Sequence, residues 1–123
     1  MRLNPDCIRD LLLALEDKVE LNLRLDFHKN NCNKLTDKYP PNVILYHLNQ
    51  CIESGLLKGK NSAGYILIYD ITPAGHAFLA DIRNDNNWNK TKEIATKVGA
   101  FSLNALKDIA VGVVSAGITA SLK

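Results

Sequence analysis

Apolar residues recur at helical spacing from Ile8 through Leu11 and Leu12 to Leu15, which places them on one face of a helix. Asn4, Pro5 and Asp6 in front of that face form a start signal: a capping amide, a proline suited to the first helical position, and a carboxylate at the positive helix end. The period then changes. From Val19 to Phe27 apolar and polar residues alternate one by one, as in a strand with one buried face. His28 to Pro41 is polar, rich in Asn and Lys, and predicts a loop with one short turn around Leu35 to Tyr39. The Pro40-Pro41 pair opens a second helix that turns Ile44, Leu48, Cys51 and Ile52 inward, and Gly55 is placed to end it in a left-handed cap.

Beyond Leu56 and Leu57, the segment GKNSAG, residues 59–64, predicts a turn, and YILIYDI, residues 65–71, a strand, so the pair makes a hairpin or wing. Thr72 and Pro73 start a helix with Ala77, Phe78 and Ile82 on one side. Another helix is expected from about Asn86 to Val98, with Trp88 and Ile94 supplying its apolar contacts, and a last one after Ser102. The fold class that follows is α+β, mainly α, in the order of a winged helix-turn-helix domain with helices added at its end. Residues 1–85 would form the winged-helix unit. Residues 86–123 would be a helical extension that packs on it or forms a dimer interface, all in one compact unit.

Particular residues carry a resemblance as well. YHLNQCIESGLL is similar to the recognition-helix end of many small bacterial regulators, and ITPAGHAFLADI to the helix that follows a wing. Together with NPDCIRDLLLALED and NDNNWNKTKE, they make the chain resemble, over residues 3–106, the DUF2513 family of uncharacterised short bacterial and phage proteins. The resemblance implies a winged-helix fold and no established activity.

Composition narrows the function classes. With 123 residues and 46% hydrophobic composition the chain can bury one proper core. Fifteen basic against thirteen acidic residues leave a charge of +2, well short of the lopsided charge of a nucleic-acid arm. No apolar run of signal-peptide type follows the start, which predicts a cytoplasmic protein. The three cysteines form no CxxC pair. Cys7 and Cys51 fall at apolar helical positions, whereas Cys32 lies among Asn and Lys, where an exposed thiol could react.

The expected function is DNA binding by a homodimeric regulator. On the second helix Asn42, Tyr46, His47, Asn49 and Gln50 are the candidate base readers, since Asn and Gln pair bidentately with adenine. That helix carries no Lys or Arg, so Arg24, Lys58 and Lys60 are the candidate phosphate contacts. Counting Arg24, Lys29, Lys34, Lys38, Lys58 and Lys60 against Asp26, Asp37 and Glu53 gives a local excess of three positive charges. The plainer alternative has the lysines as ordinary solvated surface, with Tyr46 and His47 packing the helix. His28, His47 and His76 lack ligand spacing, which predicts no metal site, and no nucleophile–base pair, paired acids or phosphate loop predicts an enzyme or a cofactor.

The stretch from Ile109 to Leu122 contains no charge, and Gly112, Ala116 and Ala120 fall four apart on one stripe. Its 14 residues are short of the roughly 20 that span a bilayer, so dimerisation through Ile109, Val113, Ala116 and Ala120 is expected over membrane attachment. The competing function is a protein-interaction module that uses the exposed helix or this apolar segment to hold a partner. Clustering of the lysines beside the second helix would favour DNA; their dispersal together with an exposed apolar patch would favour the module.

Overall fold

A computed structural model of the chain describes residues 1–18, 25–32 and 35–122. Within them the protein is α+β and mainly helical: α1 (Pro5–Lys18), β1 (Leu25–Phe27), α2 (Pro41–Glu53), β2 (Leu57–Ser62), β3 (Tyr65–Ile71), α3 (Pro73–Ile82), α4 (Asp85–Val98) and α5 (Leu103–Ser121). The strands form one antiparallel sheet in the order β1-β3-β2. Of the alternating stretch that predicts the first strand, Val19 to Arg24 lies outside the described residues.

Local chemistry sets the ends of these elements. Asn4 Oδ1 accepts the N–H groups of Asp6 (3.0 Å) and Cys7 (3.3 Å), satisfying donors that the first turn of α1 leaves open. Helix α2 ends on Gly55 at φ 77°, with Gly55 N–H donating to Ile52 O and Leu56 N–H to Cys51 O. That pairing is the Schellman arrangement and needs a residue that tolerates the left-handed region. Asn84 and Ser102 cap α4 and α5 through the N–H groups of Asn87 (3.1 Å) and Ala105 (3.1 Å).

The hairpin differs from expectation. Residues 59–62 belong to β2, and only Ala63 (φ 50°) and Gly64 (φ 85°) make the turn. Two positive φ values in a two-residue loop match the twist of the flanking strands. In β3, Ile66 and Ile68 alternate inward, but Lys58 pairs with Asp70 and Gly59 with Ile68, which leaves Tyr69 as an extra residue. The bulge resets the phase so that Ile71, not Asp70, returns to the core.

The core joins Ile8, Leu11, Leu12 and Leu15 of α1, Ile44, Leu48 and Cys51 of α2, Phe27, Ile66, Ile68 and Ile71 of the sheet, and Phe78, Leu79 and Ile82 of α3. Burying one such side chain fully contributes about 1.5–3 kcal/mol. Ala77, expected on the inner side of α3, is exposed, because Gly75 takes the position nearest the sheet. Thr72 seats that helix: its N–H donates to Leu56 O (3.1 Å), its hydroxyl donates to Gly55 O (2.6 Å) and accepts from Gly75 N–H (3.0 Å).

Two polar side chains of α1 hold α3 and α4 in place. Arg9 donates to the carbonyl oxygens of Ile82 (3.0 Å) and Arg83 (2.7 Å) and pairs with Asp85 (2.8 Å), so one guanidinium closes the end of α3 and meets the first turn of α4. Asp6 accepts from Trp88 Nε1 (2.9 Å) and Lys92 Nζ (2.9 Å), with the Lys92 ammonium 5.6 Å from the centre of the buried indole. Helix α5 then packs on α3 and α4 through Leu103, Leu106 and Ala110.

Candidate functional site

Two surfaces emerge from this arrangement. The first is an open groove of about 320 Å³ between α2 and the hairpin, lined by Asn42, Leu45, Tyr46, Asn49, Asn61, Gly64 and Ile66. Asn42 is exposed in the first turn of α2. Asn49 is half-buried; its amide oxygen accepts from Asn61 (3.4 Å) and its amide nitrogen faces Glu53 Oε1 (3.5 Å). Leu45 of α2 adds an apolar wall, and Asn61, Gly64 and Ile66 complete the groove from the hairpin, where the register of β2 on β3, which has no local signal in the sequence, brings them beside α2.

His47 corrects the expectation of an outward base reader. It is 1% exposed, its Nε2 accepts the Asn4 N–H (2.8 Å) and its Nδ1 lies 2.8 Å from Val43 O, which assigns the proton to Nδ1. The ring links α2 to the cap of α1, and burial lowers its pKa below the ordinary 6.5. Tyr46 stands edge-on to it at 5.0 Å and is half-buried, as is Gln50.

Of the phosphate candidates, Arg24 lies outside the described residues. Lys58 and Lys60 are exposed and enter no ion pair among the described residues. Alternation along β2 nevertheless turns them away from α2: Leu57 faces the core and Asn61 meets Asn49, so Lys58 and Lys60 project from the other side of the sheet. Lys38, further from the hairpin in sequence, is paired with Asp10 at 3.5 Å.

The second surface is α5. Of the expected contact residues, Ile109 packs partly against the core, Val113 is half-buried, and Ala116 and Ala120 are exposed. Val113, Ala116 and Ala120 line a cleft of about 340 Å³ between α4 and α5 with Asn87, Lys90, Ile94, Gly112 and Gly117. Val111 (54% exposed), Ile118 (57%) and Leu122 (83%) add a row of large apolar side chains, seven and four residues apart and so on one side of the helix. That spacing was visible in the sequence; their lack of cover was not.

Cys32, expected exposed and open to reaction, is half-buried with Sγ 3.6 Å from His28 O, and burial raises its pKa. A thiol held protonated is a poor nucleophile. Cys7 and Cys51 are fully buried core residues, pushed up to about 12. Among the described residues no three His, Cys, Asp or Glu side chains come together as a metal-binding group.

The class these features define is a small α+β, mainly helical protein with a helix-and-hairpin unit and appended helices. Residues 2–102 match the family described as "Hypothetical protein (DUF2513)", and the chain belongs to that family. The match ends on Ser102, the cap of α5. An "Uncharacterized protein" of Haemophilus influenzae is 29% identical over 123 residues, covering 94% of this chain and 97% of its own length. No solved structure matches the chain significantly.

Proposed function

We propose that the protein is a non-enzymatic protein-interaction module built on a winged-helix scaffold, with the outer half of α5 as its contact surface. The observation that supports this reading is the stretch after Ala110, which holds no charge up to Leu122 and is almost entirely uncovered. Large apolar surface left in water marks a place where something binds. The order α1-β1-α2-β2-β3-α3 supports the scaffold, and a winged helix serves protein contacts as readily as DNA because fold does not fix function.

DNA binding by α2 is the second reading. The amides of Asn42 and Asn49 beside the hairpin favour it, since such groups read adenine. Against it stand the burial of His47, the lack of any Lys or Arg on α2, and the turn of Lys58 and Lys60 to the far side of the sheet. Phosphate contacts supply most of the affinity of such complexes.

A fluorescence titration with random duplex DNA separates the two. The module reading expects no binding that weakens steeply between about 50 and 200 mM salt, and no difference between the natural chain and Lys58→Ala/Lys60→Ala. Steep salt dependence that the double variant flattens would transfer the assignment to DNA.

A further inference from the structure

We infer that the cleft between α3 and α5 binds a small zwitterion with a short apolar tail, of the class of a free α-amino acid with an aliphatic side chain. The inference goes beyond the interaction-module reading and stands without it. Spacing on the two helices makes the cleft. Ala74, Ala77, Phe78 and Asp81 follow one another at steps of three, one and three residues along α3, and Lys107 and Val111 stand four apart on α5, so each set forms one side and the two sides face each other. Ala74 and Ala77 are too small to fill the space between the helices, which leaves about 150 Å³ beside the buried ring of Phe78. An apolar cavity of about that volume takes a benzene ring, a group of about six heavy atoms.

Charge distinguishes this cleft from an apolar dent. Asp81 and Lys107 both line it and both are half-buried, yet their side chains enter no ion pair or hydrogen bond with each other or with any other group among the described residues. Each has given up part of its water without gaining a partner, an arrangement that costs free energy until an opposite charge arrives. Burial alone raises the Asp81 pKa, as befits a carboxyl with no cation beside it. A ligand that matches the cleft brings an ammonium for Asp81, a carboxylate for Lys107 and an uncharged group for the wall of Ala77, Phe78 and Val111. A free amino acid holds all three on one carbon. A residue inside a peptide chain lacks both backbone charges, and a simple amine or fatty acid brings only one.

The test is titration of the isotope-labelled full chain with L-leucine to about 20 mM, read by amide chemical shifts. Saturable shifts confined to Ala74 to Asp81 and Lys107 to Val111 are expected, with a Kd on the order of 1 mM for so small a ligand. N-acetyl-L-leucine, which lacks the cation, and L-leucinamide, which lacks the carboxylate, should each bind at least about tenfold more weakly, and so should L-leucine to Asp81→Asn or Lys107→Gln. Circular dichroism checks the folding of the two variants, and the two analogues decide the matter on the natural chain whether or not the variants fold. No saturable shift up to the top concentration, shifts centred elsewhere on the protein, or equal binding of all three compounds would overturn the inference. Such a failure leaves the module reading as it is, since that reading rests on the uncharged stretch after Ala110 and not on Asp81 or Lys107.

Discussion

Gly75→Ala is expected to unfold the protein or leave it on the edge of unfolding, with a loss of more than about 4 kcal/mol. The usual expectation is the reverse, because alanine in a helix interior is favoured over glycine by about 0.5–1 kcal/mol. Contact decides the sign here. A Cβ on Gly75 would overlap the carbonyl oxygen of Leu56 and sit 2.7 Å from Ile71 Cγ2, both far inside van der Waals distance. Neither can retreat. The Leu56 oxygen accepts the Thr72 N–H at 3.1 Å, the Leu56 N–H is committed to the cap of α2, and Ile71 is held in the core by the strand bulge. Moving α3 away together with its cap would instead break the Thr72 bonds to Gly55 O and Leu56 O. Against a total stability of about 5–15 kcal/mol, such a loss is decisive. Urea denaturation measures it, and Gly117→Ala is the control: a Cβ there meets nothing within 4 Å, so that variant should keep or slightly raise the midpoint. A Gly75→Ala midpoint close to that of the natural chain would contradict the close seating of α3.

His47→Ala is the second large effect, at about 2–4 kcal/mol. Truncation removes a buried ring and leaves the Asn4 N–H without its acceptor beneath the cap of α1. The same ring predicts a pH dependence. The folded chain holds the imidazole neutral, with Nε2 accepting and Nδ1–H donating, so its pKa lies below the ordinary 6.5. Between the folded pKa and 6.5 the unfolded chain binds more protons. Stability from this group is therefore full above about 6.5, falls as pH drops through that window, and levels off below the folded pKa. Denaturation midpoints across pH of about 5 to 7.5 check this in the natural chain and in His47→Leu. Equal slopes in the two would remove His47 as the cause.

Much of this fold is legible in the order of the residues. The cap at Asn4, the left-handed stop at Gly55, the Thr72-Pro73 start of α3 and the Ser102 start of α5 are local signals, and each acts in the fold through bonds made within a few residues. His47 departs from the outward position expected of it, although its spacing points inward. Ile44, His47, Leu48 and Cys51 follow the spacing of one buried face, and polarity disguised the second member. The break from Ile68 to Ile71 in an otherwise alternating strand likewise hinted at the bulge. Other features had no local signal. Which side of the sheet Lys58 and Lys60 take depends on the register of β2 on β3, and how much of α5 is covered depends on how far α3 and α4 reach along it. These long-range facts favour α5 over the groove beside α2 as the contact surface proposed above.

Amide hydrogen exchange on α5 tests that reading most directly. If the outer half of the helix is left open to hold a partner, the amides from Val113 to Ser121 should exchange much faster than those of α1 and α2, which the core covers. Exchange along Val113–Ser121 as slow as in α1 and α2 in the chain by itself would contradict it.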